Sequence, residues 1–228
     1  MSADELQKSH AGGTLGERVY EKLEEGILSR RYKPGDALVE LNISSDLGVS
    51  RTPVREAIHM LEQKGLVETL PHRGAVVVGI DDKDLEDIYA IRMYVEGLAA
   101  KWAAGVITGV QLQALGEIVD LQEFYHIKNQ SMKINELDSR FHEQIYIISG
   151  SRTLRHVLSE LHHMIQWFRE FSFRSEGRAV KAIEEHRQIL DALEEHDGEL
   201  AERLTVSHIK NAWENLSKNL QKNKESLR

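Results

Sequence analysis

From Thr14 to Arg31 the apolar residues Leu15, Val19, Leu23, Ile27 and Leu28 recur at helical spacing, which predicts an amphipathic helix. The stretch YKPGD stops it, with Pro34 and Gly35 as breakers. A short helical piece follows over Ile43–Leu47, and Gly48 ends it in the left-handed cap conformation that glycine adopts cheaply. A third helix runs through SRTPVREAIHMLEQKG. Ser50 or Thr52 caps it, and Pro53 sits in the first turn, where its missing N–H costs nothing; Gly65 ends it. Two β-leaning runs, Leu66–Leu70 and Ala75–Val78, then flank the turn PHRG and predict a hairpin.

Past residue 78 the pattern changes. All three prolines lie before residue 72, and the rest reads almost wholly as helix. Six stretches, roughly 82–104, 108–129, 133–149, 151–174, 178–195 and 198–220, are separated by GVITG, NQSM, SGS, SEG and HDG. Short breaks between long amphipathic helices imply an antiparallel bundle. The expected fold is mainly α: a winged helix-turn-helix over residues 1–78, a linker over 79–82, and an all-helical domain over 83–228, with the tail KNKESLR frayed. No internal repeat or low-complexity tract is visible.

Composition narrows the class. No apolar run approaches the ~18 residues that span a bilayer, and the start MSADELQKSH has early acids and no apolar core, unlike a secretion signal. The absence of cysteine removes any disulfide framework and fits a cytoplasmic protein. The net charge of −8 excludes a generally basic surface. Even residues 1–80 hold ten lysines and arginines against twelve aspartates and glutamates, a net of −2. Any nucleic-acid contact must therefore use a local patch.

The third helix supplies such a patch. Three helices and a hairpin make the winged helix-turn-helix plan, whose third helix enters a major groove. Val54, Ile58 and Leu61 form its inward stripe, while Arg51, Arg55 and His59 fall at i, i+4 and i+8 on another. An arginine fork suits phosphate and the O6/N7 edge of guanine. The tip His72-Arg73-Gly74 reaches a neighbouring minor groove or backbone. The candidate DNA contacts are thus Ser50, Arg51, Thr52, Arg55, His59, His72, Arg73 and Gly74. The plain alternative is a solvated face on which the arginines pair with Glu56 and Glu62. The run LGVSRTPVREAIHMLEQKGLVETLPHRGAVV resembles the DNA-binding domain of GntR-family bacterial transcription regulators. The resemblance implies a homodimer on an operator with inverted half-sites. One departure is Leu41, where some members of the family carry a further DNA-contacting arginine.

Among the eleven histidines, His10, His126, His156, His162, His163 and His196 are read as structural or exposed. Four residues stand apart. Asp138 and His142 lie at i, i+4 on one helix face and are able to share a metal. His186 and His208 lie eleven residues before and after Asp197, the centre of the HDG turn, so an antiparallel hairpin sets both about 16 Å from it. A three-histidine, one-aspartate metal site is one reading; polar groups satisfying one another inside the bundle is the other. The helical segment, with IRMYVEGLAA near its start, resembles the FCD effector domain of the FadR branch of the GntR family, and its six helices place it nearer the VanR-type subgroup. That resemblance implies a metal held by Asp138, His142, His186 and His208.

Imidazole-rich sites suit Zn²⁺ or Ni²⁺. Four protein ligands on an octahedral ion leave two positions for a small carboxylate effector. Arg92 is a candidate second anchor for it, the alternative being an ion pair with Glu96 one turn away. The leading expectation is a repressor or activator responsive to a metabolite, with a metal sensor second and a metal-dependent hydrolase third. Against an enzyme, the chain has no H-E-x-x-H and no nucleophile elbow, and Glu143 adjoins His142 on a different helix face.

Overall fold

The computed structural model describes residues 13–71, 73–173 and 177–226. The chain divides into two compact units between Asp81 and Asp82.

In the first unit, α1 (Leu15–Leu28) opens on a capping box in which Thr14 and Glu17 each satisfy the other's backbone N–H. Val19, Leu23, Ile27 and Leu28 are buried against α3 (Arg51–Gln63). Between them α2 (Glu40–Leu47) begins three residues earlier than the apolar pattern indicates and ends at Gly48, with φ 65° and ψ 33°. Ser50 is the N-cap of α3, but neither it nor any other side chain closes a capping hydrogen bond there. Pro53, Val54, Ala57, Ile58 and Leu61 are the buried stripe of this helix. The wing is a three-stranded sheet of order β1-β3-β2, made of β1 (Ala37–Leu38), β2 (Val67–Leu70) and β3 (Gly74–Val77). The hairpin register pairs Leu70 with Gly74 and Val67 with Val77. Sequence pattern misses β1, because two residues carry no periodicity; Ala37 and Leu38 pair with Val76 and Ala75.

The second unit holds six helices among the described residues: α4 (Asp82–Ala104), α5 (Gly109–Ile127), α6 (Ser131–Ile148), α7 (Arg152–Phe173), α8 (Arg178–Glu194) and α9 (Gly198–Ser226). The last runs beyond residue 220, through part of the tail expected to fray. Thr108 and Gln111 form a second capping box at the start of α5. The core gathers Ala100, Ala103 and Ala104 of α4, Leu115, Ile118 and Val119 of α5, Leu137, Phe141 and Ile145 of α6, and Ile183, Ile189 and Leu193 of α8. Small residues let α9 approach α4 closely: a Cβ on Gly97 would lie 2.8 Å from Val206 Cγ2. At the α8–α9 turn His196 takes φ 53° and bonds through Nδ1 to the Ala104 carbonyl at 2.7 Å, a structural role. That turn folds α9 back along α8, and the rings of His186 and His208 meet with centroids 4.6 Å apart.

Candidate functional site

Three helices deliver four side chains to one point inside the second unit. Asp138 and His142 come from α6, His186 from α8 and His208 from α9, and all four are buried. Each offers one ligand atom, and these atoms lie within 4.8 Å of one another. His142 Nε2 is 3.2 Å from His208 Nε2 and 3.9 Å from Asp138 Oδ2, and His186 Nε2 is 3.4 Å from Asp138 Oδ1. The His186 ring stacks on Phe141 at 4.2 Å, which fixes its plane.

The far side of each ring is held as well. His142 Nδ1 meets Glu96 Oε2 at 2.8 Å, His186 Nδ1 meets Gln122 Oε1 at 2.9 Å, and His208 Nδ1 meets Glu185 Oε2 at 2.7 Å. All three partners are acceptors, so each Nδ1 carries a hydrogen and each neutral ring keeps its lone pair on Nε2, the atom aimed at the cluster. Two such lone pairs 3.2 Å apart, on His142 and His208, repel unless a cation lies between them or one ring takes a second proton. An ion with bonds of about 2.0–2.1 Å separates neighbouring donors by ~3–3.4 Å and opposite donors by about 4.2 Å. The His142–His208 and His186–Asp138 separations match that spacing, and the widest one must close slightly. The donor set therefore fits a divalent metal such as Zn²⁺ or Ni²⁺, and the histidine orientations suit ligation as the second set of partners requires.

Two of those partners are anchored in turn by buried arginines. Arg92 Nε donates to Glu96 Oε1 at 2.6 Å, and both side chains are sealed from solvent. Burial pushes the Glu96 carboxyl up, but the charge of Arg92, then that of His142 and its hydrogen bond, outweigh it and hold the group well below the usual carboxylate range. Burial lowers Arg92, and the Glu96 charge, with Tyr89, Tyr146 and the hydrogen bond to Glu96, together more than reverse that. Arg92 thus takes the ion-pair geometry with Glu96, while its Nη1 is buried without a hydrogen-bond partner among the described residues. Nearby, His162 lies with its ring 6.0 Å from that of His142 and lines a cavity of about 220 Å³ with Tyr146, His163, Ser139, Ser159 and Gln166. Burial, then the charges of Arg92 and His142, push its pKa well below the ordinary range. Glu143 lines this cavity too, and its Oε1 lies 3.5 Å from Arg155 Nη2.

Spacing in the sequence offers no route to Gln122 or Glu185. Gln122 lies 64 residues from the histidine it holds. Glu185 adjoins His186 yet serves His208, and only the pairing of α8 with α9 reveals that.

On the first unit, Arg51, Thr52, Arg55 and His59 are exposed along α3, and Ser50 and Arg73 are exposed beside it and at the wing. Gly74 starts β3 with φ 70°. His72 lies outside the described residues. Neither arginine takes Glu56 or Glu62 as its partner; both converge on Glu40 at the start of α2. Arg51 Nη2 reaches Glu40 Oε2 at 2.7 Å, and Arg55 Nε reaches Glu40 Oε1 at 2.9 Å. Glu62 instead accepts the backbone N–H of Thr69 at 3.1 Å. Leu41 is 65% exposed beside this cluster.

Comparison with known proteins settles the lineage. Residues 15–77 match the family described as "Bacterial regulatory proteins, gntR family", and residues 87–211 match the "FCD domain". The chain belongs to the GntR family. It is a DNA-binding transcription regulator with an FCD domain. The HTH-type transcriptional regulator YdhC of Bacillus subtilis (strain 168) is 27% identical over 210 residues, covering 92% of this chain and 94% of that one. The HTH-type transcriptional repressor RspR of Escherichia coli (strain K12) is 28% identical, covering 92% of each. The solved structure of E. coli McbR/YncC superposes with a TM-score of 0.71 at 22% identity, covering 92% of this chain and 99% of that one, and shows the same fold. None of the helices described is long and apolar enough to cross a membrane. The relatives are regulators, so the hydrolase reading has no support from them.

Proposed function

We propose that this GntR-family regulator is a cytoplasmic, homodimeric repressor whose FCD domain holds a divalent metal and, through it, a small carboxylate effector that changes operator affinity. The convergence of three Nε2 atoms on Asp138, with every Nδ1 tied to an acceptor, carries the reading. When bound, the metal would be held by Asp138, His142, His186 and His208 and would supply a Lewis-acid point for an oxygen ligand. Arg92 is the second anchor: its buried Nη1 is available to a carboxylate, and an effector that engages it perturbs Glu96 and hence His142. The repressor sense rests on the name of RspR.

At the operator, Arg51 and Arg55 read base edges or phosphate, His59 follows them along α3, Ser50 and Thr52 contact the backbone at the helix start, and the wing tip His72-Arg73-Gly74 adds contacts beside it. One short helix and one wing are a small footprint, which favours a two-fold dimer on inverted half-sites.

The test is elemental analysis of the purified protein beside His208→Ala and Asp138→Ala, paired with operator titrations. One metal per chain in the wild type and loss in both variants supports the centre, and basal operator binding should survive in both. Equal metal content in all three proteins refutes it. A footprint of one isolated half-site refutes the dimer.

A further inference from the structure

Glu185 is a junction. Its Oε2 accepts from His208 Nδ1 at 2.7 Å and from Arg178 Nη1 at 2.9 Å, while Oε1 accepts from Asn211 Nδ2 at 2.8 Å. Arg178 is buried at 6% exposure, and its other guanidinium N–H groups have no partner among the described residues. These groups border a cavity of about 360 Å³ between α8 and α9, lined by Arg178, Lys181, Glu185, Asn211, Glu214 and Lys218. Neither Lys181 nor Lys218 forms an ion pair among the described residues. Three cations against two carboxylates leave the cavity net positive in a protein whose overall charge is −8. It shares no lining residue with the cavity beside Tyr146 and His162.

We infer that this cavity is a second ligand site, taking a small oxyanion through Arg178, Lys181 and Lys218, and that Glu185 couples it to His208. An oxyanion on the open N–H groups of Arg178 competes with Glu185 for that guanidinium. Glu185 then gives more of its charge to the His208 Nδ1–H, which makes Nε2 a better electron-pair donor. Oxyanion and metal should therefore strengthen each other's binding, and by linkage the factor is the same in both directions. The coupling rests on the metal reading above; the oxyanion site itself does not.

The experiment uses full-length protein, metal-free and metal-loaded, titrated calorimetrically with inorganic phosphate and separately with succinate. The comparison variant is Lys181→Ala/Lys218→Ala, two exposed positions outside the metal cluster. Millimolar or tighter binding of either probe to metal-free wild type, weakened tenfold or more in the double variant, supports the site. The tighter probe tells whether its natural ligand is a phosphate ester or a dicarboxylate. Metal affinity, read by chelator competition, should rise roughly fivefold or more with the probe in the wild type and not in the variant. No binding of either probe, or equal binding in the double variant, overturns the site. A probe that binds metal-free protein and leaves metal affinity unchanged overturns the coupling. Failure of the metal reading would leave the metal-free titration intact, so the two outcomes are distinguishable.

Discussion

Gln122→Met tests whether the acceptor behind His186 tunes the metal centre. The swap nearly conserves volume, removes no charge, and deletes an amide whose Nε2 has no hydrogen-bond partner among the described residues. It does remove the acceptor at 2.9 Å from His186 Nδ1. The metal-free protein has a remedy: the ring shifts its proton to Nε2, which faces Asp138 Oδ1 at 3.4 Å. The metal-free variant should thus lose less than the ~1–3 kcal/mol of an unsatisfied buried donor. That proton now occupies the ligating atom, and losing such an outer partner typically costs about 10–100-fold in metal affinity. With free Zn²⁺ at ~100 times the wild-type dissociation constant, metal binding stabilises the wild type by about 2.7 kcal/mol. The same metal concentration stabilises a tenfold weaker variant by ~1.4 kcal/mol and a hundredfold weaker one by ~0.4 kcal/mol. At about 2–4 °C per kcal/mol, the metal-induced rise in Tm should fall from ~5–11 °C to ~1–6 °C. Differential scanning fluorimetry of both proteins with and without Zn²⁺ measures it. Equal rises would refute the tuning argument, and no rise in the wild type would refute the centre itself.

Four further outcomes follow from particular contacts. Arg55→Ala should weaken operator binding by about 1–3 kcal/mol if the contact is to a base. Glu40→Gln, which removes the carboxylate shared by Arg51 and Arg55, should raise affinity for non-specific duplex and lower the ratio of specific to non-specific binding; an unchanged ratio in salt-matched titrations would show that Glu40 positions nothing. For His162, the unfolded chain takes up its proton near 6.5 and the folded protein only at lower pH, so the unfolded state binds more protons in between. Stability of the metal-free protein should therefore fall as pH drops below 6.5, and urea midpoints of His162→Gln should be flatter there; Glu96 contributes a separate loss only below 4.5. Gly97→Val should destabilise the protein by about 1–3 kcal/mol, because its Cβ would crowd Val206 Cγ2 at 2.8 Å; an unchanged urea midpoint would contradict the close packing of α4 and α9.

Much of this was legible in the chain because the signals are local. The buried stripe of α3, the left-handed Gly48 and the wing hairpin follow from spacing and turn chemistry within a few residues. The meeting of His186 with His208 was legible for a related reason: a single short turn makes equal sequence distance into equal height. What stayed hidden depends on pairings set by the tertiary packing. β1 exists only because Val77 and its neighbours offer it an edge, with Val77 N–H donating to the Asp36 carbonyl at 2.9 Å. Glu40 meets its two arginines from a different helix, 11 and 15 residues away, so same-helix bookkeeping pointed to Glu56 and Glu62. Arg178 carries no motif at all and is distinguished only by where α8 begins.

The charges around the cluster bear on the choice between a metal and a set of mutually satisfied polar groups. Arg92 balances Glu96 and Arg178 balances Glu185, so the two carboxylates that orient His142 and His208 add no net charge. Asp138 remains as the single negative charge among three imidazoles. A purely polar account must place an extra proton on His142 or His208 to relieve their 3.2 Å approach, and that puts an imidazolium in a pocket from which water is excluded. The buried, positively charged Arg92 beside Glu96 makes a further positive charge in this region unfavourable. A divalent cation relieves the same approach, uses the lone pairs that the Nδ1 acceptors prepare, and leaves the centre with one net positive charge beside Asp138. A monoanionic carboxylate would neutralise that residual charge, so the proposed effector class follows from the charge balance of the Arg–Glu pairs around a divalent ion, whichever divalent ion it is.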